Sequence, residues 1–294
     1  MDLSRARALG LLAAAPLAVS CGPRDTVRAG SKNFTEELIL GELYAQAAEH
    51  AGFAVTRRLN LGTTDIAMAA LHRNELDFYP EYTGTALLNV LHLPPESDPK
   101  RAYTTVKNAF EKQYGLVWLD QSPMNDTQAL ATTQSVAGRF SLEKLSDLAA
   151  KAGELRLGCV PEFLSRADGL PGLQKRYGGF RFKATKIVDN GLKYQALEHG
   201  DVDVVIAFST EGQLKAEHLI VLEDDKHLFP AYHVAPVVRR EILAAKPQLA
   251  TVLNKVTALL NDDDMQNMNL DVDGSAKREP ADVARDFLKA HGLA

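Results

Sequence analysis

The sequence has few cysteines, few aromatic residues and no excess of basic charge. Its 294 residues include two cysteines, one tryptophan and eight tyrosines, and aromatic residues make up 7% of the chain. The formal net charge is −5 and the sequence pI is about 5.9. A nucleic-acid-binding protein should carry a basic face, and no long basic run is present. The charge therefore argues against nucleic acid as a partner.

Sequence motifs of the common catalytic and metal sites are also missing. There is no G-x-S-x-G, no Walker loop and no H-E-x-x-H, and the histidines are scattered without metal-ligand spacing. The segment "NLDVDG" weakly resembles a calcium loop, but Asn269 stands where such a loop begins with aspartate, and Pro280 replaces its final glutamate. We therefore predict no catalytic residue, no metal site and no cofactor.

The N-terminus has the pattern of a secretory signal. Arg5 and Arg7 precede a short apolar stretch, residues 8–19, and small residues follow it. The stretch is too short to span a bilayer as a stable anchor. The sequence "AVSC" resembles a bacterial lipoprotein cleavage site, which predicts a signal peptide over residues 1–21 and a lipid on Cys21. Plain secretion with an incidental cysteine is the alternative, and both place the mature protein outside the cytoplasm.

The second cysteine, Cys159, lies in the apolar segment "LRLGCVP". If Cys21 is lipidated, Cys159 has no disulfide partner, and the local sequences that accompany catalytic cysteines are missing around it. We expect Cys159 to be a small apolar residue in a buried strand.

The remainder of the chain alternates strand-like and helix-like segments, which predicts an α/β fold with largely parallel sheets. Its length suffices for two lobes of ordinary size. No internal repeat or flexible low-complexity linker separates them. Two lobes would therefore be joined by structured segments of the chain.

Five sequence blocks occur in an order that resembles one family, the substrate-binding proteins of osmoprotectant ABC importers, which bind glycine betaine, choline and carnitine. The blocks are "GSKNFTEELILGELYAQ", "YPEYTGTAL", "FLSRADGLPGL", "GLKYQALEHGDVDVVIAFSTEGQL" and "FPAYHVAPVV". The resemblance implies a type II periplasmic-binding-protein fold with ligand in the cleft between lobes. It also implies a receptor, not an enzyme, which delivers its ligand to a permease with its ATPase and is expected to be a monomer.

The resemblance divides the chain into residues 26–127 and 232–294 for lobe I and residues 128–231 for lobe II. The expected location is the periplasm or the outer face of a bacterial membrane, where a lipid on the N-terminus would be the membrane contact.

The family holds the quaternary ammonium group of its ligands in a cage of tyrosines, because such a group has no N–H to donate and is attracted to ring faces. Tyr82 and Tyr232 match cage positions, and Tyr79 is expected to pack behind Tyr82. At two other cage positions the chain departs from the family pattern. Phe208 keeps the ring and loses the hydroxyl, whereas Gln128 replaces a ring with a group that donates and accepts hydrogen bonds. A plain core tyrosine is the alternative for Tyr82.

Three further residues, Lys32, Arg166 and Thr85, match positions that bind the ligand's carboxylate in the family, and a fourth, Asp126, lies close to the cage. Lys32 and Arg166 are expected to hold a carboxylate, Arg166 in a bidentate manner, and Thr85 lies in the cage loop. Asp126 is expected to orient ring hydroxyls or to complement the cation. A solvated turn lysine is the alternative for Lys32, and an interlobe salt bridge is the alternative for Arg166.

Together these residues favour a zwitterion over bare choline, with glycine betaine bound weakly because one cage ring is missing. One alternative keeps the fold and changes the ligand to another small zwitterion or amino-acid-like solute. Another is a ligand-sensing module that presents its closed form to a signalling partner.

Overall fold

The computed structural model describes residues 26–96 and 98–293, which form two lobes, each built on a five-stranded sheet. The strands are β1 Val27–Gly30, β2 Val55–Arg58, β3 Phe78–Tyr82, β4 Leu116–Trp118, β5 Gln128–Thr132, β6 Arg156–Cys159, β7 Ala184–Ile187, β8 Val204–Phe208, β9 Ile220–Val221 and β10 Val234–Arg239. The two-lobed α/β fold predicted from the sequence is thereby confirmed.

Helices follow most of the strands. They are α1 Thr35–His50, α2 Thr64–His72, α3 Thr83–Thr85, α4 Pro99–Tyr114, α5 Gln134–Phe140, α6 Leu145–Lys151, α7 Leu170–Tyr177, α8 Lys193–Glu198, α9 Gln213–Ala216, α10 Arg240–Ala245, α11 Gln248–Thr257, α12 Asp262–Asp273 and α13 Pro280–Ala290. A π-helical segment, Ala86–Val90, continues α3, and short 3₁₀ segments cover Ala152–Glu154, Pro161–Leu164 and Asn190–Leu192. In the described part of the chain, no helix has the length and hydropathy of a membrane span.

The sheet of lobe I has the strand order β2-β1-β3-β10-β4. Strands β1, β2 and β3 run parallel, whereas β10 pairs antiparallel with both β3 and β4. The sheet of lobe II has the order β7-β6-β8-β5-β9 and repeats this pattern, because β5 pairs antiparallel with β8 and β9. Four strands of each sheet run in the same direction, which agrees with the expectation of a largely parallel sheet, and one strand is reversed. In each sheet, a strand that arrives from the other lobe enters in the reverse direction and pairs antiparallel with both neighbours.

Each sheet packs apolar residues on both faces. In lobe I, one core lies between the sheet and helices α1, α11, α12 and α13, and a second core includes residues of α2 and α4. Two further cores flank the sheet of lobe II. Cys159 is fully buried at the end of β6, as predicted, and burial raises the pKa of its thiol to about 11. Each lobe therefore has its own pair of cores, one on each face of its sheet.

Two segments connect the lobes, one from β4 to β5 and one from β9 to β10. They lie side by side, because Asn125 and His233 form an isolated antiparallel bridge. The sheets use strands between residues 27–118 and 234–239 on one side and 128–221 on the other. The exact lobe boundaries, residues 26–127 with 232–294 and residues 128–231, remain a prediction, and Cys21 lies outside the described residues.

Candidate ligand-binding cleft

A cleft of about 570 Å³ lies between the two sheets, where the ends of several strands meet the connecting segments. Residues of both lobes line it. They include all eight residues that the sequence predicts around a ligand, namely Lys32, Tyr82, Thr85, Asp126, Gln128, Arg166, Phe208 and Tyr232. Residues that are up to 200 positions apart in the chain therefore share one cavity.

The strands set the positions of the rings. Tyr82 ends β3 and pairs in register with Val234. Val234 is the first residue of β10 and lies two positions after Tyr232. Gln128 and Phe208 face each other as cross-strand partners, so the two departures from the family pattern are neighbours. Gly84 of the "TGT" turn has a steric role, because a Cβ atom there would lie 2.6 Å from carbon atoms of the Tyr232 ring. The glycine lets the two cage segments approach each other.

Tyr82 is held by contacts on its ring and on its hydroxyl. Its side chain is 3% exposed, and its hydroxyl donates to Glu36 Oε1 at 2.6 Å. The ring of Phe34, which also lines the cleft, stacks on it with a centroid separation of 6.3 Å. Burial and the charge of Glu36 raise the pKa of Tyr82 well above its usual range. Tyr79 is fully buried, as predicted, and its hydroxyl donates to Glu81 Oε2 at 2.9 Å.

Lys32 is a buried member of an ion-pair group. Its Nζ lies 2.7 Å from Glu81 Oε1 and 3.4 Å from Glu37 Oε1, and also 4.6 Å from the ring centroid of Tyr82. Burial alone would lower the pKa of Lys32, but the two carboxylates outweigh it and raise the pKa. Burial raises the pKa of Glu37 to about 8. Since Lys32 is 4% exposed, the alternative of a solvated turn lysine is wrong.

Arg166 and Tyr232 share a buried carboxylate. Arg166 Nε donates to Asp168 Oδ1 at 2.8 Å, its Nη2 pairs with Oδ2, and the hydroxyl of Tyr232 also donates to Oδ2. Asp168 is fully buried, and its backbone oxygen accepts a 2.8 Å hydrogen bond from Gln128 Nε2. The partner of Arg166 is thus two residues away in the same lobe, and among the described residues Arg166 forms no interlobe salt bridge. Asp168 accepts hydrogen bonds from Nε and Nη2 of Arg166 and not from its Nη1.

Phe208 stands beside a second buried lysine. Lys193 Nζ lies 4.9 Å from the centroid of the Phe208 ring and 2.6 Å from Glu211 Oε1. The hydroxyl of Tyr194 donates to the other oxygen of Glu211. Phe208 therefore presents a ring face to the cleft. The ammonium group close to this ring, that of Lys193, has its charge balanced by Glu211.

Asp126 contacts a threonine and not a ring hydroxyl. Asp126 Oδ1 lies 2.7 Å from Thr210 Oγ1, and that hydroxyl also lies 2.5 Å from Glu36 Oε2. The hydroxyls of Tyr82 and Tyr232 donate to Glu36 and Asp168. Glu36 and Asp168 thus orient the ring hydroxyls, which was one of the two roles expected for Asp126.

Several residues of the cleft region were not singled out from the sequence. They are Phe34, Glu36, Glu81, Asp168, Lys193, Thr210 and Glu211. The local signal was present for some of them, since Glu81 adjoins Tyr82 and Asp168 follows Arg166 by two positions. For Glu36 and Thr210 the contact joins residues 174 positions apart, which no local pattern indicates.

Ring faces and internally paired charges suit the binding of a charged solute. Tyr82, Phe208 and Tyr232 present aromatic surface from different segments, and the cations near them, Lys32, Arg166 and Lys193, are each paired with a carboxylate. Burying a charge is tolerated where it is paired and hydrogen-bonded. The cleft thus has a preformed polar frame around aromatic walls, as small-molecule sites commonly do.

Comparisons with known proteins point to one family. Residues 25–290 match the family described as the substrate binding domain of ABC-type glycine betaine transport system. A glycine-betaine-binding protein of Pseudomonas aeruginosa is 37% identical over 98% of this chain and 94% of its own length. An ergothioneine transport permease/ergothioneine binding protein of Helicobacter pylori is 34% identical over 90% of this chain and 47% of its own length.

A solved structure agrees with these relatives. The crystal structure of a glycine betaine/carnitine/choline ABC transporter protein superposes with a TM-score of 0.74 at 34% identity, covering 91% of this chain and 99% of that one.

Proposed function

The chain belongs to the family of substrate-binding domains of ABC-type glycine betaine transport systems, and we propose that it binds glycine betaine or a closely related zwitterion in its cleft. It is a binding protein and not an enzyme. Substrate-binding proteins of ABC importers are extracytoplasmic and work with a membrane permease. Import of a quaternary ammonium osmoprotectant is the function that follows.

The observation that supports this ligand is the meeting of three rings from separate segments in one cleft. Tyr82, Phe208 and Tyr232 line the same cavity, and a quaternary ammonium group is attracted to the negative faces of such rings. Thr85 ends the short helix α3, which directly follows Tyr82, and completes that side of the cavity. The cationic end of the ligand is placed among these rings, where hydrogen bonding to the cation is not needed.

The carboxylate of the ligand is assigned to Arg166 and Lys32. Both line the cleft, and both are already paired with buried carboxylates. A zwitterion adds one positive and one negative charge together, so its binding leaves the charge balance of the cleft unchanged. Choline lacks the carboxylate, and we expect it to bind more weakly than glycine betaine.

Ligand binding is coupled to closure of the lobes. Tyr82 belongs to lobe I, Phe208 belongs to lobe II, and Tyr232 lies on a connecting segment. The complete cage exists only where both lobes approach the ligand, so the ligand favours the closed state through its higher affinity for that state. The closed form is the form that we expect the permease to accept.

The test is a calorimetric titration of the mature protein with glycine betaine, carnitine and choline. Tyr82→Ala and Tyr232→Ala are expected to abolish measurable binding, with circular dichroism and thermal unfolding as controls for folding. Wild-type affinity in both variants would refute the cage. A bulkier zwitterion is the second candidate, because the Helicobacter pylori relative is named for ergothioneine, and ergothioneine belongs in the same screen.

We also propose that Cys21 is the lipid attachment site and that the mature protein is a monomer. The basic and apolar segments before Cys21 support the first point. Mass spectrometry of the membrane fraction should detect a lipid on Cys21, and Cys21→Ser should release the protein from the membrane. An unmodified cysteine in mature protein would exclude the anchor, and sedimentation as a dimer would exclude the monomer.

A further inference from the structure

A buried hydrogen-bonded chain connects the cage to the segment that joins the lobes. Glu36 of α1, Thr210 after β8 and Asp126 on the connecting segment are 4%, 1% and 6% exposed. The hydroxyl of Thr210 lies 2.5 Å from Glu36 Oε2 and 2.7 Å from Asp126 Oδ1. Glu36 in turn accepts the hydroxyl of Tyr82 at 2.6 Å. The chain thus ends on a ring of the proposed cage.

The hydrogen bonds between Glu36, Thr210 and Asp126 require one proton more than two ionised carboxylates and one threonine hydroxyl supply. A threonine hydroxyl has one hydrogen and can donate it to only one acceptor at a time. Two ionised carboxylates are acceptors only, so Thr210 cannot satisfy both at these distances. One of the two carboxyl groups must be protonated and must donate to Thr210 Oγ1.

The surroundings indicate which carboxyl group holds the proton. Glu36 accepts hydrogen bonds from Tyr82, Thr210 and Asn269, the last at 2.9 Å. Three donors stabilise an ionised carboxylate. Within the described residues, the hydrogen bonds at the Asp126 carboxyl come from Thr210 alone, and the backbone contact is long at 3.4 Å. The proton is therefore better placed on Asp126.

The charged groups around the pair favour the same assignment. Burial and the charges of Glu36 and Glu211 raise the pKa of Asp126 well above its usual range. Burial also raises the pKa of Glu36, and its three hydrogen bonds oppose that rise. On α12, Asp273 lines the small cavity beside the pair, and Lys193 is already paired with Glu211. The acidic groups thus outnumber the cations that face this site.

We infer that Asp126 is a neutral hydrogen-bond donor that positions Tyr82 through Thr210 and Glu36, and that it is not a counter-charge for the ligand's cation. This inference rests on the proposed function where it concerns ligand affinity. Loss of the proton would place a second negative charge beside Glu36 and leave Thr210 with two acceptors for one hydrogen. The orientation of the Tyr82 ring would then be lost.

The sign of the pH dependence separates the two roles of Asp126. A donor that must be protonated in the bound state makes affinity fall as pH rises, by up to about tenfold per pH unit above its pKa. A counter-charge would do the opposite, because its ionised form attracts the cation. Glycine betaine itself changes its charge only far below this range, so the ligand does not supply the effect.

The experiment is a titration of the mature protein with glycine betaine from about pH 6 to about pH 9, for the wild type, Asp126→Asn, Asp126→Ala and Glu36→Gln. We expect wild-type affinity to fall with pH and Asp126→Asn, whose amide can still donate, to lose the part of this fall that Asp126 causes. Ionisation of Glu37 beside Lys32, with a pKa of about 8, should leave a smaller fall in both proteins. Asp126→Ala and Glu36→Gln should bind more weakly than Asp126→Asn throughout. Affinity that rises with pH, or Asp126→Asn as weak as Asp126→Ala, would overturn the inference.

A measurement without ligand keeps the inference separate from the proposed function. The infrared difference spectrum of the wild type minus Asp126→Asn at neutral pH should show the carbonyl band of one protonated carboxylic acid, because a band from Glu37, whose pKa is about 8, is common to both proteins and cancels. Absence of that band would refute the neutral Asp126 whatever the ligand is. If the band is present and no osmoprotectant binds at any pH, the proposed function fails and the protonated Asp126 stands.

Discussion

The two lobes present their rings to the cleft through similar arrangements of charge, and lobe I has the more buried one. Lys32 Nζ lies 4.6 Å from the Tyr82 ring and 2.7 Å from Glu81. Glu81, which is fully buried, also accepts the Tyr79 hydroxyl and the backbone N–H of Tyr82. One glutamate therefore fixes the ring, the lysine and a second tyrosine.

Lobe II repeats the arrangement with different sequence spacing. Lys193 Nζ lies 4.9 Å from the Phe208 ring and 2.6 Å from Glu211. Glu211 also accepts the Tyr194 hydroxyl and the backbone N–H of Phe208. The glutamate follows its ring by three positions here, whereas in lobe I it precedes its ring by one. The same contacts thus arise from a strand end in one lobe and from a turn in the other.

The two lobes differ in whether water reaches the glutamate and in whether the ring carries a hydroxyl. The side chain of Glu81 has no exposure, whereas that of Glu211 is 18% exposed. Tyr82 is anchored a second time through its hydroxyl on Glu36, and Phe208 has no hydroxyl to anchor. Lobe I therefore depends on complete pairing, and lobe II tolerates change because water reaches its glutamate.

The largest effect is expected on the free energy of unfolding, when the charge of Glu81 or of Glu211 is removed. Glu81→Gln leaves the buried Lys32 with only Glu37, at 3.4 Å, as a carboxylate partner, and should lower the free energy of unfolding by up to about 3–5 kcal/mol. Glu211→Gln should cost clearly less, because the side chain at position 211 is 18% exposed and water already reaches this end of the pair. Urea denaturation of both variants measures the difference. Equal losses would show that exposure of the glutamate does not matter.

Removal of each ring should have a smaller effect, on affinity. Tyr82→Leu and Phe208→Leu keep apolar volume and lose a ring face worth about 2 kcal/mol to a desolvated cation, which is roughly a thirtyfold loss of glycine betaine affinity. Tyr82→Phe is the matched control that removes only the hydroxyl. If Tyr82→Phe loses as much affinity as Tyr82→Leu, the hydroxyl anchor and not the ring face accounts for binding.

The smallest effect on glycine betaine affinity is expected from substitutions of Gln128 and Phe208, the cross-strand pair of lobe II. Gln128→Tyr should add a ring worth about 2 kcal/mol and should lose the hydrogen bond to Asp168, worth about 1 kcal/mol. The net expectation is a gain in glycine betaine affinity of roughly fivefold, and at most about tenfold. Phe208→Tyr on the facing strand should change affinity less than about threefold. A loss of affinity in Gln128→Tyr would instead make the Asp168 contact the important one.

The boundaries of helix α4 can be read from the local sequence. The side chain of Asp98 accepts hydrogen bonds from the first turn, Pro99 begins the helix, and Gly115 ends it with a φ of 67°. These are the usual start and stop signals of a helix. Local chemistry was sufficient in this segment.

The sequence by itself determined the succession of strands and helices, the family, and the rings and charges that line the cleft. These depend on residue type and on short spacing, which are legible along the chain. The partner of each charge was decided only by the tertiary structure. Glu81 lies 49 positions from Lys32, Asp168 lies 64 positions from Tyr232, and Thr210 lies 174 positions from Glu36. Such contacts depend on how two sheets and two connecting segments meet, and burial there makes each pairing obligatory.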